Sequence, residues 1–309
     1  MFYACLVSGI LLCFSFDKAG SKTALFDLLS MKKKEIVLHS KHHDRRFGVD
    51  IRYKENKNSC PVIIFVHGFK GFKDWGTFDL VADYFAGKNY VFVKLNLSHN
   101  GTTPEAPTEF ADLEAFGSNN FTIEMDDLGV LIDYLHENPV PQADLSRIAL
   151  VGHSRGGALV LLKTSEDKRI KAVATWAAVS DLRKMFPEHQ IPEWKEKGVH
   201  YIYNSRTGQN MPLYYQLCED FMANAERFDV ATAVRNLHQP MIAFHGTADQ
   251  TLIVEMAYHL KQWNPDAELV IMKNADHTFG SYHPYNRAVL PADMQQVVGK
   301  THDFFKDHL

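Results

Sequence analysis

Three residue types able to share one reaction recur in order along the chain, each just past an apolar run. Ser154 stands in Gly152-His153-Ser154-Arg155-Gly156-Gly157, Asp249 in Phe244-His245-Gly246-Thr247-Ala248-Asp249, and His277 in Asn274-Ala275-Asp276-His277-Thr278-Phe279-Gly280. A serine hydroxyl is a poor nucleophile until a base takes its proton. Imidazole is that base near neutral pH, and a carboxylate behind it fixes its tautomer and balances its charge. G-x-S-x-G between the strand-like Arg147–Val151 and the helix-like Ala158–Leu162 is the pattern of a nucleophile elbow. Its turn is tight enough to need small neighbours, here Gly152 and Gly156. It lifts the hydroxyl clear of the sheet and aims a helix N-terminus at the reacting group.

The pentapeptide alone is a chance-prone pattern, and Ser154 could simply cap the following helix. Asp249 could likewise cap a helix near Leu252. Asp181 is a second, weaker candidate for the acid, and Asp276 adjoins His277 but is poorly placed to face it. Agreement of residue type, chain order and strand-end position selects Ser154, Asp249 and His277 as the catalytic set.

Acyl transfer develops an oxyanion, which needs preorganised donors. The backbone N–H of Arg155, directly after the nucleophile, is one. The loop His67-Gly68-Phe69-Lys70-Gly71-Phe72 supplies the other as the Phe69 N–H, with His67 read as a structural buttress. Trp176, Tyr214 and Tyr215 are expected to wall the substrate pocket. The cysteine spacing argues against structural zinc.

The elements that must hold these groups follow from hydrophobic period. Glu35–Ser40 and Arg46–Tyr53 alternate as an opening hairpin. Pro61–Val66 is a continuous apolar run, the mark of a strand buried on both faces. Further strands are expected at Tyr90–Leu95, Ile170–Ala177, Pro240–Phe244 and Glu268–Met272. Helices are expected at Trp75–Ala86, Ile123–Glu137, Leu252–Trp263 and Asp293–Lys306. Alternating strands and helices give an α/β class, a mostly parallel, doubly wound sheet of about eight strands. Asn96–Asn119 reads as a long polar connection. Residues 181–239 break the alternation with many aromatics and a hairpin around Asn204-Ser205-Arg206-Thr207-Gly208. Their place between two sheet strands fits a cap or lid insertion within a hydrolytic domain spanning 31–309.

The 309 residues carry 33 Lys and Arg against 37 Asp and Glu, a formal charge of −4. With no basic stripe, nucleic acid is not an expected partner. Four cysteines without paired spacing fit a reducing compartment. His42-His43-Asp44 is a weak metal patch, better read as a solvated loop. Residues 1–30 form an uncertain extension. Phe2–Phe16 is apolar but short for a stable membrane span and lacks a basic flank, so Met31 is a plausible start. A cytoplasmic location is therefore expected, with secretion the alternative, and a homodimer is left open.

Taken together, His67-Gly68-Phe69-Lys70-Gly71, the Ser154 elbow, His245-Gly246-Thr247-Ala248-Asp249 and Asp276-His277-Thr278-Phe279 resemble the α/β-hydrolase superfamily from Glu35 to Leu309. Within it the chain is similar to dienelactone-hydrolase-like and cinnamoyl (feruloyl) esterase-like bacterial hydrolases. It departs from dienelactone hydrolases proper, which use a cysteine nucleophile where this chain has Ser154. The resemblance implies an α/β-hydrolase fold and a serine carboxylesterase with no cofactor. Its acyl-enzyme intermediate would come from a small-molecule short-chain or aromatic-acyl ester. Two alternatives stand beside it. One is a prolyl-oligopeptidase-like peptidase, although such enzymes usually carry a large extra domain for which this length leaves no room. The other is a non-catalytic binding protein on a hydrolase scaffold, which would usually have lost a triad member.

Overall fold

The computed structural model describes residues 31–56 and 58–309; the reading of residues 1–30 lies outside them. Eight strands form one sheet: β1 (Met31–His39), β2 (Arg46–Lys54), β3 (Cys60–Val66), β4 (Val91–Leu95), β5 (Ala143–His153), β6 (Ile170–Trp176), β9 (Met241–Gly246) and β10 (Glu268–Met272). Their spatial order is β1-β2-β4-β3-β5-β6-β9-β10. β2 runs antiparallel to both β1 and β4, and every pairing from β4 to β10 is parallel. β7 (Val199–Asn204) and β8 (Gln209–Tyr214) pair separately as an antiparallel hairpin.

The doubly wound order follows from residue alternation. On β3, Val62, Ile64 and Val66 point into one core and Ile63 and Phe65 into the other, all five buried. A strand apolar on both faces needs helices on both faces. On one side pack α1 (Phe78–Gly87) and α9 (Ala292–His308), through Phe78, Val81, Phe85, Val297, Val298 and Phe304. On the other lie α3 (Phe121–Glu137) and α4 (Arg155–Glu166), through Leu128, Leu131, Ile132, Leu159 and Leu161. Each such side chain contributes about 1.5–3 kcal/mol by leaving water. The helix spacing on α3 is the one its sequence shows, and Asn120 caps it by accepting from the Ile123 N–H.

One expectation needs refinement. Asn96–Asn119 is a long polar connection as expected, but much of it is internal: Leu97, Ser98, His99, Asn100, Phe110 and Phe116 are buried, and the segment carries a short helix, α2 (Leu113–Gly117), capped by Asp112. Its polar side chains are used internally. Asn96 accepts from the Lys73 N–H at 2.7 Å, and Asn100 accepts from the Thr102 hydroxyl at 2.7 Å. His42, His43 and Asp44 lie in the loop expected of them, with His43 and Asp44 exposed, and their side chains do not converge. They face Asp126, His99 and His39 respectively.

Between β6 and β9 the chain forms a 3-10 turn at Leu182–Met185, α5 (Ile191–Lys197), the β7–β8 hairpin, α6 (Gln216–Ala223) and α7 (Val230–Arg235). After β9, α8 (Glu255–Trp263) leads into β10. No described helix is long and apolar enough to cross a membrane.

Candidate active site

β5 ends at His153 and α4 begins at Arg155, so one residue, Ser154, makes the whole turn. Its backbone sits at φ 57° and ψ −120°, a conformation costly for any residue with a Cβ. The surroundings impose it. The Ser154 N–H donates to the Trp176 carbonyl at 2.9 Å, and the Ser154 carbonyl accepts from Gly157 and Val179 at 3.0 and 3.1 Å. The chain passes so close to itself that a Cβ on Gly152 would lie 2.2 Å from the Gly156 carbonyl oxygen. That is why both flanking positions are glycine.

Parallel pairing of β9 and β10 brings the other two groups together. The ladder sets Ile271 opposite His245 and Met272 opposite Gly246, so the two following loops leave side by side. They are stitched by Thr247 N–H to the Met272 carbonyl at 2.9 Å and Ala248 N–H to the Ala275 carbonyl at 3.0 Å. Asp249 Oδ2 then lies 2.7 Å from His277 Nδ1. Its Oδ1 accepts from the Thr251 and Leu252 N–H groups, both at 2.8 Å. Burial opposes ionisation of this carboxyl, but the hydrogen bonds from His245, His277 and Leu252 win and hold it well below the usual carboxylate range. An ionised Asp249 fixes His277 with Nδ1 protonated and Nε2 free to take a proton.

Ser154, His277, Phe69 and Arg155 line one cavity of about 710 Å³. Among the described residues no hydrogen bond occupies the backbone N–H of Phe69 or of Arg155, leaving two donors at the cavity beside Ser154. His67 is buried and bridges the loop to its neighbour: its Nδ1 meets the Gly68 carbonyl at 2.9 Å and its Nε2 accepts from the Leu97 N–H at 3.3 Å. Burial pushes it down to about 4, so it is a neutral strut.

Three pocket residues expected from the sequence lie elsewhere. Trp176 is fully buried beneath the sheet, packing on Phe65 and donating to the Thr301 hydroxyl at 3.2 Å. β6 alternation turns its side chain toward the α9 face, away from the cavity. Tyr214 covers Gly117 and donates to Glu114 at 2.5 Å. Tyr215 packs on Trp194. The aromatic content of 181–239 instead builds that segment's own core, where Phe186, Trp194 and Phe221 meet Phe121 and Phe228. The insertion reaches the cavity through Met185, Ile202, Tyr203, Asn204 and Arg206. Asp181 pairs with Arg183, and Asp276 caps its own loop through the Thr278 and Gly280 N–H groups, so neither approaches His277 as its acid.

Sequence reasoning missed two supports. His245 Nε2 lies 3.3 Å from the same Asp249 oxygen that His277 holds, and 2.9 Å from the Leu252 carbonyl. A histidine ending a buried strand four residues before the acid was the available signal. Arg155 forms an ion pair with Glu124, and both are buried. Its guanidinium also stacks 4.5 Å over the Phe69 ring. A charged residue at position 124, on the apolar side of an amphipathic helix, was the only hint.

A mostly parallel sheet wound on both faces, with a strained serine after β5 and an Asp–His pair beyond β9 and β10, defines the α/β-hydrolase fold. The model of the prolyl oligopeptidase family matches residues 76–308, and the chain belongs to that family of hydrolases. No curated protein sequence matches it. Solved structures agree on the fold. The esterase domain of a Rhodothermus marinus protein is 20% identical, with a TM-score of 0.60 over 90% of this chain and 99% of that one. Est1E of Butyrivibrio proteoclasticus, solved with ferulic acid bound, is 15% identical with a TM-score of 0.63 over 88% and 98%. The Pyrococcus furiosus esterase Pf2001 is 17% identical with a TM-score of 0.58 over 91% and 94%.

Proposed function

We propose that the protein is a serine esterase that cleaves short-chain or aromatic-acyl carboxylic esters through an acyl-enzyme. The observation that carries this reading is the 2.7 Å Asp249–His277 hydrogen bond, with His277 and Ser154 on the wall of one cavity. Ser154 Oγ attacks the ester carbonyl while His277 Nε2 takes its proton. The carbonyl oxygen becomes the oxyanion and is met by the Phe69 and Arg155 N–H groups. His277 returns the proton to the departing alcohol. Water then repeats the sequence, releasing the acid and restoring Ser154. Residues 181–239 act as the cap, and Met185 and Ile202 give the acyl chain apolar contact.

Family membership supports a second reading, peptide hydrolysis by the same groups. Among the described residues the cavity wall offers no carboxylate to a peptide's terminal ammonium, which favours esters. Side-by-side assay of p-nitrophenyl acetate and butyrate against aminoacyl p-nitroanilides tests the choice. Ester turnover abolished in Ser154→Ala is expected. Turnover of the anilides alone, or ester turnover unchanged in that variant, would overturn the esterase reading.

A further inference from the structure

The cavity that holds Ser154 has a one-sided charge. Among the described residues its wall contains Lys70, Arg155 and Arg206 and not one aspartate or glutamate. Arg155 is already neutralised from behind by buried Glu124. Lys70 and Arg206 are not: among the described residues neither forms an ion pair, loss of water opposes the charge of each, and Lys70 also meets the positive charge of Arg206. The two come from different parts of the chain, Lys70 from the loop after β3 and Arg206 from the β7–β8 turn.

Their placement is built, not incidental. Arg206 Nη2 donates to the Lys70 carbonyl at 2.9 Å, and its guanidinium carbon lies 5.5 and 5.6 Å from the ring centroids of Phe72 and Phe110. Gln209, in the same hairpin, donates to the Phe110 carbonyl at 3.1 Å and pins the turn. Lys70 is held at φ 53°, outside the usual range for a side-chain-bearing residue. Contact with two aromatic rings and the bond to the Lys70 carbonyl restrict the arginine head while leaving its other N–H donors for a ligand. Two partly desolvated cations without a counter-ion are electrostatically unfavourable in the empty cavity, and an anion entering between them relieves that cost.

We infer that Lys70 and Arg206 form a subsite for an anionic group, so that the substrate is an ester carrying a carboxylate on the arm that lies beneath the β7–β8 turn. This rests on the esterase reading and narrows it. A carboxylate matches the guanidinium fork and the ammonium together. The same pair disfavours a cationic arm.

The test uses the full-length enzyme and substrates matched in shape but not in charge. Mono-p-nitrophenyl glutarate is compared with p-nitrophenyl valerate for an anionic acyl arm, and 4-(butyryloxy)benzoate with 4-(butyryloxy)benzamide for an anionic alcohol arm. In one of the two pairs the anionic ester is expected to be favoured by about tenfold in kcat/KM, chiefly through KM, with the ratio falling as salt is raised. Arg206→Gln and Lys70→Met should each collapse that ratio toward unity, and Arg206→Lys should keep part of it. Equal or poorer use of the anionic ester in both pairs overturns the subsite, as does an anion preference that persists in both neutral variants. Hydrolysis of the uncharged esters without anion preference would leave the esterase reading standing and sink this one. If no ester is turned over, titration with glutarate reads the subsite directly. Binding weakened several-fold in Arg206→Gln supports it, and no binding by the folded wild type refutes it.

Discussion

The carboxylate of Asp249 is shared by two histidines: Oδ2 lies 2.7 Å from His277 Nδ1 and 3.3 Å from His245 Nε2. One histidine lines the cavity and the other is fully buried, so the carboxylate is held from behind while it orients the His277 imidazole in front. Asp249→Asn keeps the shape but no longer selects the tautomer with Nε2 free. A loss of about 10³–10⁴ in kcat is expected, with little change in KM. Steady-state ester hydrolysis checks this.

The elbow leaves no space next to the nucleophile. A Cβ added to Gly68 would lie 2.9 Å from Ser154 Cβ and 3.2 Å from the His153 carbonyl oxygen. Neither is the end of a flexible side chain, so Ser154 or the Phe69 loop must move. Gly68→Ala is expected to lower kcat by about 10²-fold, since a displacement near 1 Å misaligns attack and oxyanion donors together. Kinetics alongside thermal melting separates this from unfolding, because the midpoint should move far less than the rate.

Burial of the Glu124–Arg155 pair makes it costly to break. Burial raises the Glu124 carboxyl and lowers the Arg155 guanidinium, the mark of two charges kept out of water and dependent on each other. Asn119 adds a hydrogen bond to Glu124 at 2.7 Å. Glu124→Gln strands the arginine charge and is expected to cost about 3–5 kcal/mol. It should also loosen the Phe69 ring stacked on Arg155. Urea unfolding measures the first effect and kcat the second.

Acid should weaken the fold through histidines kept neutral. Burial pushes His67 down to about 4 and His153 to about 3. His99, also buried and near the charge of Arg45, is pushed down to about 3. Unfolded histidine titrates near 6.5, so below about pH 6.5 the unfolded chain binds protons that the folded chain refuses, and stability falls as pH falls. Asp127, raised to about 6 by burial, opposes this by taking a proton in the folded state between about 6 and 3.9. The melting midpoint is expected to drop from pH 7 to pH 5. In His99→Gln the dependence should be shallower by about one proton.

Much of this was legible in the chain. The elbow, the strand-end positions of Asp249 and His277 and the doubly wound sheet follow from apolar period and residue order, which are local properties. The pocket wall was not. Trp176, Tyr214 and Tyr215 were expected there because aromatics were plentiful, yet whether a ring faces a cavity or a core depends on which face of a strand it occupies and what packs above. On β7 alternation gives only part of the answer: Ile202 is half-buried between exposed Tyr201 and Tyr203, yet Tyr203 and Asn204 line the cavity beside it. The Glu124–Arg155 pair and the polar interior of 96–119 were hidden for another reason: their partners are distant in sequence, and a buried charge is indistinguishable from a surface one until its counter-charge is seen.

Trp176 belongs to the core and Ile202 to the cavity. Trp176→Phe should cost about 1 kcal/mol by removing the hydrogen bond to Thr301. It should leave the acyl-chain preference unmoved, whereas Ile202→Ala should shift preference toward longer chains. An acetyl-to-octanoyl panel of p-nitrophenyl esters distinguishes them.

The central claim is that Ser154 is the nucleophile activated by His277. Its most direct measurement is labelling of the folded protein with a fluorophosphonate, followed by peptide mass mapping. A single adduct on the peptide holding Ser154, absent in Ser154→Ala and strongly slowed in His277→Ala, is the expected result. No adduct on folded protein, or an adduct on another residue, would contradict the account.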